Sequence, residues 1–225
     1  MKISSLSRYS TGIRSKNRKI RDYLDRQLND EFAKLAREHS YRARSAFKLL
    51  EIQNRWKIFE KGNTVLDVGA APGSWSQVAY DCVQPTGYVL GVDLQPLKPL
   101  DGVEFLSKAD IQNPSVQKAI IKRLGDRPVD CLISDMAPSP TGSRTADHER
   151  IIDLCETVVD LIRPENESKL KISDKFVFLC KIWDGHRKIE FTKKLEKLFD
   201  NVRCIKPEAS RSDSAEIFVL ARRNK

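Results

Sequence analysis

From Gly62 onward, short β-rich runs alternate with amphipathic helical stretches, and this alternation confines the chain to a small set of folds. The runs are Thr64–Val68, Tyr88–Val92, Val103–Leu106, Val129–Ile133, Phe176–Cys180, Val202–Ile205 and Ile217–Leu220. Helical stretches fill Trp75–Cys82, Ser115–Leu124, His148–Ile162 and Lys188–Phe199. Such a pattern implies an α/β fold with a mostly parallel seven-stranded sheet and helices on both faces. Only Lys206–Glu216 joins the last two runs, which leaves no room for a crossover helix, so these two should pair antiparallel. Upstream, Asp22–Trp56 is helical in pattern. Tyr23, Leu24, Leu28, Phe32 and Leu35 recur at helix spacing, as do Ala43, Phe47 and Leu50, with a break at His39 and Ser40. A chain of 225 residues suits one large domain with a short extension. The expected division is an extension over residues 1–21 and a domain over 22–225, with N-terminal helices in 22–57.

The extension carries Lys2, Arg8, Arg14, Lys16, Arg18, Lys19 and Arg21, and no acid appears before Asp22. With its serines, it suits either a mitochondrial presequence or a basic arm that touches RNA phosphates. The whole chain has a net charge of +9, which favours a polyanionic partner, nucleic acid first. No stretch approaches the roughly 18 apolar residues of a membrane span. Cys82, Cys131, Cys155, Cys180 and Cys204 are scattered, without a C-x-x-C pair, which argues against a disulfide framework and for a reducing compartment. His39, His148 and His186 show no ligand spacing, so no metal is expected.

The run Val65-Leu66-Asp67-Val68 ends in Gly69-Ala70-Ala71-Pro72-Gly73-Ser74-Trp75, and a helix follows. Small residues at a strand-to-helix turn let backbone approach a ligand beyond the carboxyl ends of the strands. A dinucleotide fingerprint would read G-x-G-x-x-G; here Pro72 removes a donor and stiffens the turn, which fits a ligand without a pyrophosphate and disfavours a dehydrogenase. The second run leads to Asp93, an acid placed to accept from ribose hydroxyls. The third leads to Asp110-Ile111, where an acid can accept from an adenine amino group beside a free backbone N–H. Lone aspartates in turns are usually caps. Three such places after three successive strands point together to an adenosine-bearing ligand such as S-adenosylmethionine.

Asp135 follows the fourth run, within Ser134-Asp135-Met136-Ala137-Pro138, and Lys181 follows the fifth. A lysine ending a buried strand is costly unless it works or is paired. If the last strand is antiparallel, Glu216 at its start lies beside the same strand ends. The role of Lys48 is invisible from spacing alone.

Here the residues match a family. From about Ser40 to Arg222 the sequence resembles the FtsJ-type ribosomal RNA 2′-O-methyltransferases. The matching pieces are Ser40–Leu49, Ala70–Gln77, Ser134–Pro138 with Thr141-Gly142, Lys181, and Ser210-Arg211-Ser212 leading to Glu216. The resemblance implies a Rossmann-like methyltransferase fold that uses S-adenosylmethionine. It also implies a catalytic tetrad of Lys48, Asp135, Lys181 and Glu216. Cofactor contacts carry over onto Pro72, Gly73, Ser74, Trp75, Asp93, Asp110, Ile111 and Asp135, beside Gly69 at the strand end. Ser74 stands where bacterial members often have glycine, and Ala215 where a serine is common. The Ser-Asp-Met-Ala-Pro run looks like the ribosomal RNA branch. The stretch Asp147-His148-Glu149-Arg150 with the basic leader looks like the mitochondrial large-subunit enzymes. The implied target is a uridine ribose near the peptidyl transferase centre, in large-subunit ribosomal RNA or a pre-ribosomal particle, methylated in the mitochondrial matrix in support of ribosome assembly.

A ribose 2′-hydroxyl is a poor nucleophile, so such an enzyme must align it and take its proton. Lys181 is the expected base, aided by burial and by the second cation Lys48. Asp135 and Glu216 favour the charged lysine and act as orienting groups. Arg42, Arg44, Arg55 and Lys57 form either an RNA-binding cluster or a solvated basic face. Arg211 is a candidate for guiding substrate, and Trp183 for stacking on a base or for packing. A monomer is favoured. The competing functions are a transfer RNA or messenger RNA cap 2′-O-methyltransferase acting in the cytoplasm, or an RNA-binding assembly factor whose catalysis is dispensable.

Overall fold

A computed structural model of the chain describes residues 32–139, 141–165, 170–210 and 214–223. The basic leader, the helical pattern before residue 32, Arg211 and Ser212 lie outside the described residues. Residues 32–38 are helical. The named elements are α1 (Ala46–Trp56), β1 (Thr64–Val68), α2 (Ser74–Val83), β2 (Tyr88–Asp93), β3 (Glu104–Ser107), α3 (Pro114–Leu124), β4 (Val129–Ser134), α4 (Arg144–Asp160), β5 (Ile172–Trp183), α5 (Lys188–Glu196), β6 (Asn201–Ile205) and β7 (Glu216–Arg222).

Seven strands form one sheet in the order β3-β2-β1-β4-β5-β7-β6. The β1–β2, β1–β4, β2–β3 and β4–β5 pairs are parallel, and β7 runs antiparallel to both neighbours. The expected α/β architecture is therefore present, including the antiparallel β6–β7 pair. The order reverses beside β1, and ligand crevices open beyond the strand ends at such a point.

Alternate residues of each strand feed two cores. Leu66, Leu90, Leu132, Phe178 and Val219 pack on the face that carries Ile120, Ile151 and Phe191 of α3, α4 and α5. Val65, Val89, Cys131, Leu179 and Phe218 pack on the opposite face, against Leu49 and Ile52 of α1 and Val78 of α2. This parity decides where the charged residues go. Lys181 continues the series Val177–Leu179, Glu216 precedes Phe218 and Leu220 at the same spacing, and Asp135 continues Cys131–Ile133. All three fall on the α1 face.

Several boundaries depart from the sequence expectation, among them α4, which begins at Arg144 rather than His148. The fifth strand begins at Ile172 rather than Phe176, because the polar Ser173, Asp174 and Lys175 still join the sheet through a bulge opposite β4. After the break at His39 and Ser40, helix α1 does not resume until Ala46. The amide of Arg42 instead donates to Gln77 Oε1 at 2.9 Å, which ties the preceding bend to α2. Cys131, Cys155 and Cys180 are buried, and all five cysteines are free thiols. No described helix is long and apolar enough to cross a membrane.

Candidate active site

Beyond β1 the chain turns through Gly69, whose φ of +82° is open to glycine. The Gly69 amide donates to the Val92 carbonyl at 2.8 Å, so the turn lies over the end of β2. A Cβ at Gly69 would come within 2.3 Å of Met136 Cγ, so the loops leaving β1 and β4 meet here. A cleft of about 570 Å³ opens at this point, with Gly69, Asp93, Asp110, Ile111, Met136 and Asp153 in its walls. Asp93 accepts the Ala71 amide at 2.8 Å through Oδ2 and the Gln95 amide at 2.7 Å through Oδ1. Those bonds fix the carboxylate and leave a lone pair on each oxygen for ligand hydroxyls. Asp110 is fixed in the same way, its Oδ1 accepting the Gln112 amide at 2.9 Å.

The remaining loop residues divide differently. Pro72 is exposed at the loop surface, whereas Gly73, Ser74 and Trp75 are buried beneath it. The Ser74 hydroxyl meets Ser45 Oγ at 2.8 Å, and Trp75 Nε1 donates to the Ser45 carbonyl at 3.0 Å. The Trp75 ring packs on Phe218. These two side chains hold α1 to α2 rather than lining the cleft.

Sequence reasoning passed over Asp67, a carboxylate with no exposed surface in the middle of β1. Ser76 Oγ donates to Oδ2 at 2.6 Å, while Oδ1 has no partner. Burial drives its pKa up to about 7; the Ser76 hydrogen bond works against this, and the charges of Asp135 and Asp93 add to it. An acid inside an apolar strand run was the available signal.

The four proposed catalytic residues come together from α1, β4, β5 and β7 in two ion pairs. Lys48 Nζ lies 2.6 Å from Glu216 Oε1. Lys181 Nζ donates to Asp135 Oδ1 at 2.9 Å and to its backbone carbonyl at 2.7 Å. Burial alone would raise the Glu216 carboxyl. The Lys48 charge, the hydrogen bonds from Lys48 and Ser210 and the charge of Lys181 more than offset it and hold its pKa below the usual range. The Ser210 hydroxyl donates to Glu216 Oε1 at 2.8 Å. Glu51 of α1 accepts the Glu208 and Ala209 amides at 2.9 and 3.2 Å. Arg44 donates to the Ala209 carbonyl at 2.9 Å. Arg44, just before α1, and Glu51 within it thus grip the loop that leads into β7 and seat Lys48 against Glu216.

The basic cluster is not one surface. The Arg42 guanidinium donates to the carbonyls of Pro72, Lys98 and Pro99 at 3.1, 2.8 and 2.5 Å, which clamps the Gly69–Trp75 loop to the segment after β2. Arg55 stacks over Trp56 on the exposed side of α1, and Lys57 is exposed just beyond. Trp183 is half-buried and packs against the core. Among the described residues, no group of three or more His, Cys, Asp or Glu is arranged to hold a metal ion.

A model of the FtsJ-like methyltransferase family matches residues 41–224. The mitochondrial rRNA methyltransferase 2 of Caenorhabditis elegans is 47% identical over 203 residues, covering 90% of this chain and 94% of that protein. The ribosomal RNA large subunit methyltransferase E of Acinetobacter baumannii is 38% identical over 205 residues, covering 91% and 92%. A crystal structure of a ribosomal RNA methyltransferase from Plasmodium falciparum shares the fold, with a TM-score of 0.71, 24% identity and coverage of 81% of this chain and 98% of that one. With its fold, its strand-end carboxylates and these matches taken together, the chain belongs to the FtsJ-like methyltransferase family.

Proposed function

We propose that the protein methylates a ribose 2′-hydroxyl of ribosomal RNA with S-adenosylmethionine, and that its target is a uridine of mitochondrial large-subunit ribosomal RNA near the peptidyl transferase centre. The observation that carries the reading is the convergence of Lys48–Glu216 and Lys181–Asp135, two lysine–carboxylate pairs each with one buried partner, Glu216 and Lys181, on one face of the sheet beside the cleft. The relatives' names supply the ribosomal RNA and the mitochondrion.

The cleft residues fit the cofactor. Asp93 and Asp110 offer fixed acceptors suited to ribose hydroxyls and an adenine amino group, and Ile111 offers an apolar wall. Asp67 is a buried carboxylate with an unpartnered oxygen beneath the loop, which suits a cationic ligand. Gly69 keeps the backbone accessible, and Pro72 and Gly73 shape the turn. When bound, S-adenosylmethionine supplies an electrophilic methyl group on a sulfonium.

The chain's own residues then align and deprotonate the nucleophile. A neutral lysine amine has two N–H groups and one lone pair. Both bonds from Lys181 Nζ go to Asp135, so in the neutral form the lone pair is what remains to take the hydroxyl proton. Asp135 thereby aims the base. Lys48, steadied by Glu216 and Ser210, is placed to hold the target phosphate or the developing alkoxide.

A single chain supplies all four groups, which supports action as a monomer. Residues 1–21 would direct import into the matrix or hold RNA, and residues 22–225 would form the methyltransferase domain. The deciding experiment supplies the purified enzyme with S-adenosylmethionine and transcripts of mitochondrial large-subunit ribosomal RNA, cytosolic ribosomal RNA and transfer RNA, and maps 2′-O-methylation. A single modified uridine in the mitochondrial transcript or its particle is expected. Methylation confined to transfer RNA would overturn the assignment of target.

A further inference from the structure

One turn of α4 near its start, residues 147–150, touches two loops at once. Asp147 and Arg150 reach the loop that leaves β4. Thr141 donates its amide and its hydroxyl to Asp147 Oδ1, each at 2.7 Å, and Arg150 Nη1 donates to the Ser139 carbonyl at 2.9 Å. His148 and Glu149 reach instead the loop over residues 184–187 that leaves β5. His148 Nε2 accepts the Arg187 amide at 3.1 Å. Glu149 meets His186 Nε2 at 2.5 Å and the Arg187 guanidinium at 2.6 Å. Four consecutive residues therefore join the loops that follow Asp135 and Lys181.

Three features single out His148. It is 4% exposed, so water does not compete for the Arg187 amide. Gly185 lies flat against its ring: a Cβ there would stand 2.6 Å from His148 Cε1. Burial, and next the neighbouring His186, lower its pKa and keep Nε2 free to accept. The braced loop is short and close to the chemistry. Asp184 follows Lys181 by three residues and donates its amide to the Ala215 carbonyl at 2.7 Å, next to Glu216. Arg150, by contrast, lies in the wall of the cofactor cleft.

We propose that His148 is a positioning residue for Lys181: by accepting the Arg187 amide it pins the loop that ends β5 and holds the lysine amine in line with the acceptor hydroxyl, while Arg150 in the same turn serves the cofactor cleft. This rests on the methyl-transfer reading above. Displacing a reacting group by about 1 Å can cost on the order of 100-fold in rate without weakening binding, so the two arms of the turn should separate kinetically.

The test compares His148→Leu, His148→Gln, Gly185→Ala and Arg150→Ala in the full-length enzyme. Hydrogen exchange over residues 184–188, calorimetric binding of S-adenosylhomocysteine and kcat and KM on the methylated RNA are measured. In His148→Leu the Arg187 amide should exchange about tenfold faster. Its kcat should fall about 10- to 100-fold, with S-adenosylhomocysteine affinity and RNA KM within about threefold of the unaltered enzyme. Gly185→Ala, which crowds the ring from the other side, should give the same signature. His148→Gln, which keeps an acceptor, should recover most of the rate. Arg150→Ala should weaken S-adenosylhomocysteine binding with little effect on kcat at saturation. The proposal is overturned by an unchanged kcat in His148→Leu and Gly185→Ala, by a loss of cofactor affinity equal to the loss of rate, or by failure of His148→Gln to rescue. If the unaltered enzyme shows no turnover, the methyl-transfer reading fails, while the exchange measurement still decides the brace: unchanged Arg187 protection in His148→Leu overturns it.

Discussion

The cleft over β1 and β2 and the pocket between β4, β5 and β7 adjoin each other, yet they handle charge in opposite ways. Among the described residues, Asp93 and Asp110 in the cleft wall and Asp67 buried in β1 just before it make no ion pair, and Asp67 is left with a bare buried oxygen. In the pocket each lysine has its own carboxylate, Lys48 with Glu216 and Lys181 with Asp135. This contrast arises within a chain of net charge +9, so it is local arrangement and not composition. A surplus of fixed acceptors suits a ligand that brings positive charge and hydroxyl donors. A balanced set suits a site that must move a proton and keep its geometry before and after. The two regions should therefore fail differently when altered.

The largest effect is expected at Lys181. Lys181→Ala should lower turnover by roughly 10³-fold, within the range of general-base removal, and leave S-adenosylmethionine affinity within about twofold. A parallel loss of affinity, measured by calorimetry, would erase the boundary between the two regions. Asp67→Asn probes the buried strand end beside the cleft through stability. The folded state holds the Asp67 proton to about pH 7 against 3.8 for the free group, so its cost to folding is absent at low pH and complete above neutrality. A shift of that size corresponds to an upper bound on the order of 4 kcal/mol. The variant should melt above the unaltered enzyme at pH 8, and the gap should close by about pH 4. A gap that does not change with pH would remove the strained-acid reading. Asp93→Ala should weaken cofactor binding about tenfold to 100-fold, the usual worth of hydrogen bonds to a charged group, while kcat at saturation changes less. Equal losses in both would extend the tetrad's role into the cleft. The smallest effect is a slope. The folded pKa of Glu216 lies below the 4.5 of a free glutamate, so its stabilising contribution is present above that pH and lost as pH falls through the folded value. Melting temperature should decline more gently with acid in Glu216→Gln than in the unaltered enzyme.

Much of this site could be read from the sequence because strand ends are readable. A run of β-rich residues that stops at Asp93, Asp135 or Lys181 also says on which edge of the sheet that residue stands. The short Lys206–Glu216 connection was enough to bring Glu216 to the same edge. Side-chain direction within turns was not readable. Ser74 and Trp75 sit in the cofactor loop by sequence, but the left-handed backbone at Gly69 and Gly73 turns both side chains down onto Ser45, and no spacing rule encodes that rotation. Arg42 looked like an RNA contact because a lone arginine on a basic helix carries no sign of its partners. Its three carbonyl acceptors lie 30 to 57 residues away in segments without periodicity. The start of β5 was missed for a related reason. Hydropathy follows side chains, whereas the pairing of Ile172 with Val129 is what carries the strand across the bulge at Ser173, Asp174 and Lys175.

The place of β7 has a consequence for how the enzyme comes into being. This strand is the last of the seven to be synthesised, yet it inserts between β5 and β6 rather than adding at the rim. Until it arrives, β5 and β6 each present an unpaired inner edge, the core lacks Phe218 and Leu220, and Lys48 has no counter-charge. A nascent or partly threaded polypeptide that already holds the Gly69–Trp75 loop therefore still lacks the Lys48–Glu216 ion pair. Completion of the sheet and closure of that pair become one event, and until then the unfinished chain keeps open strand edges that invite misassembly.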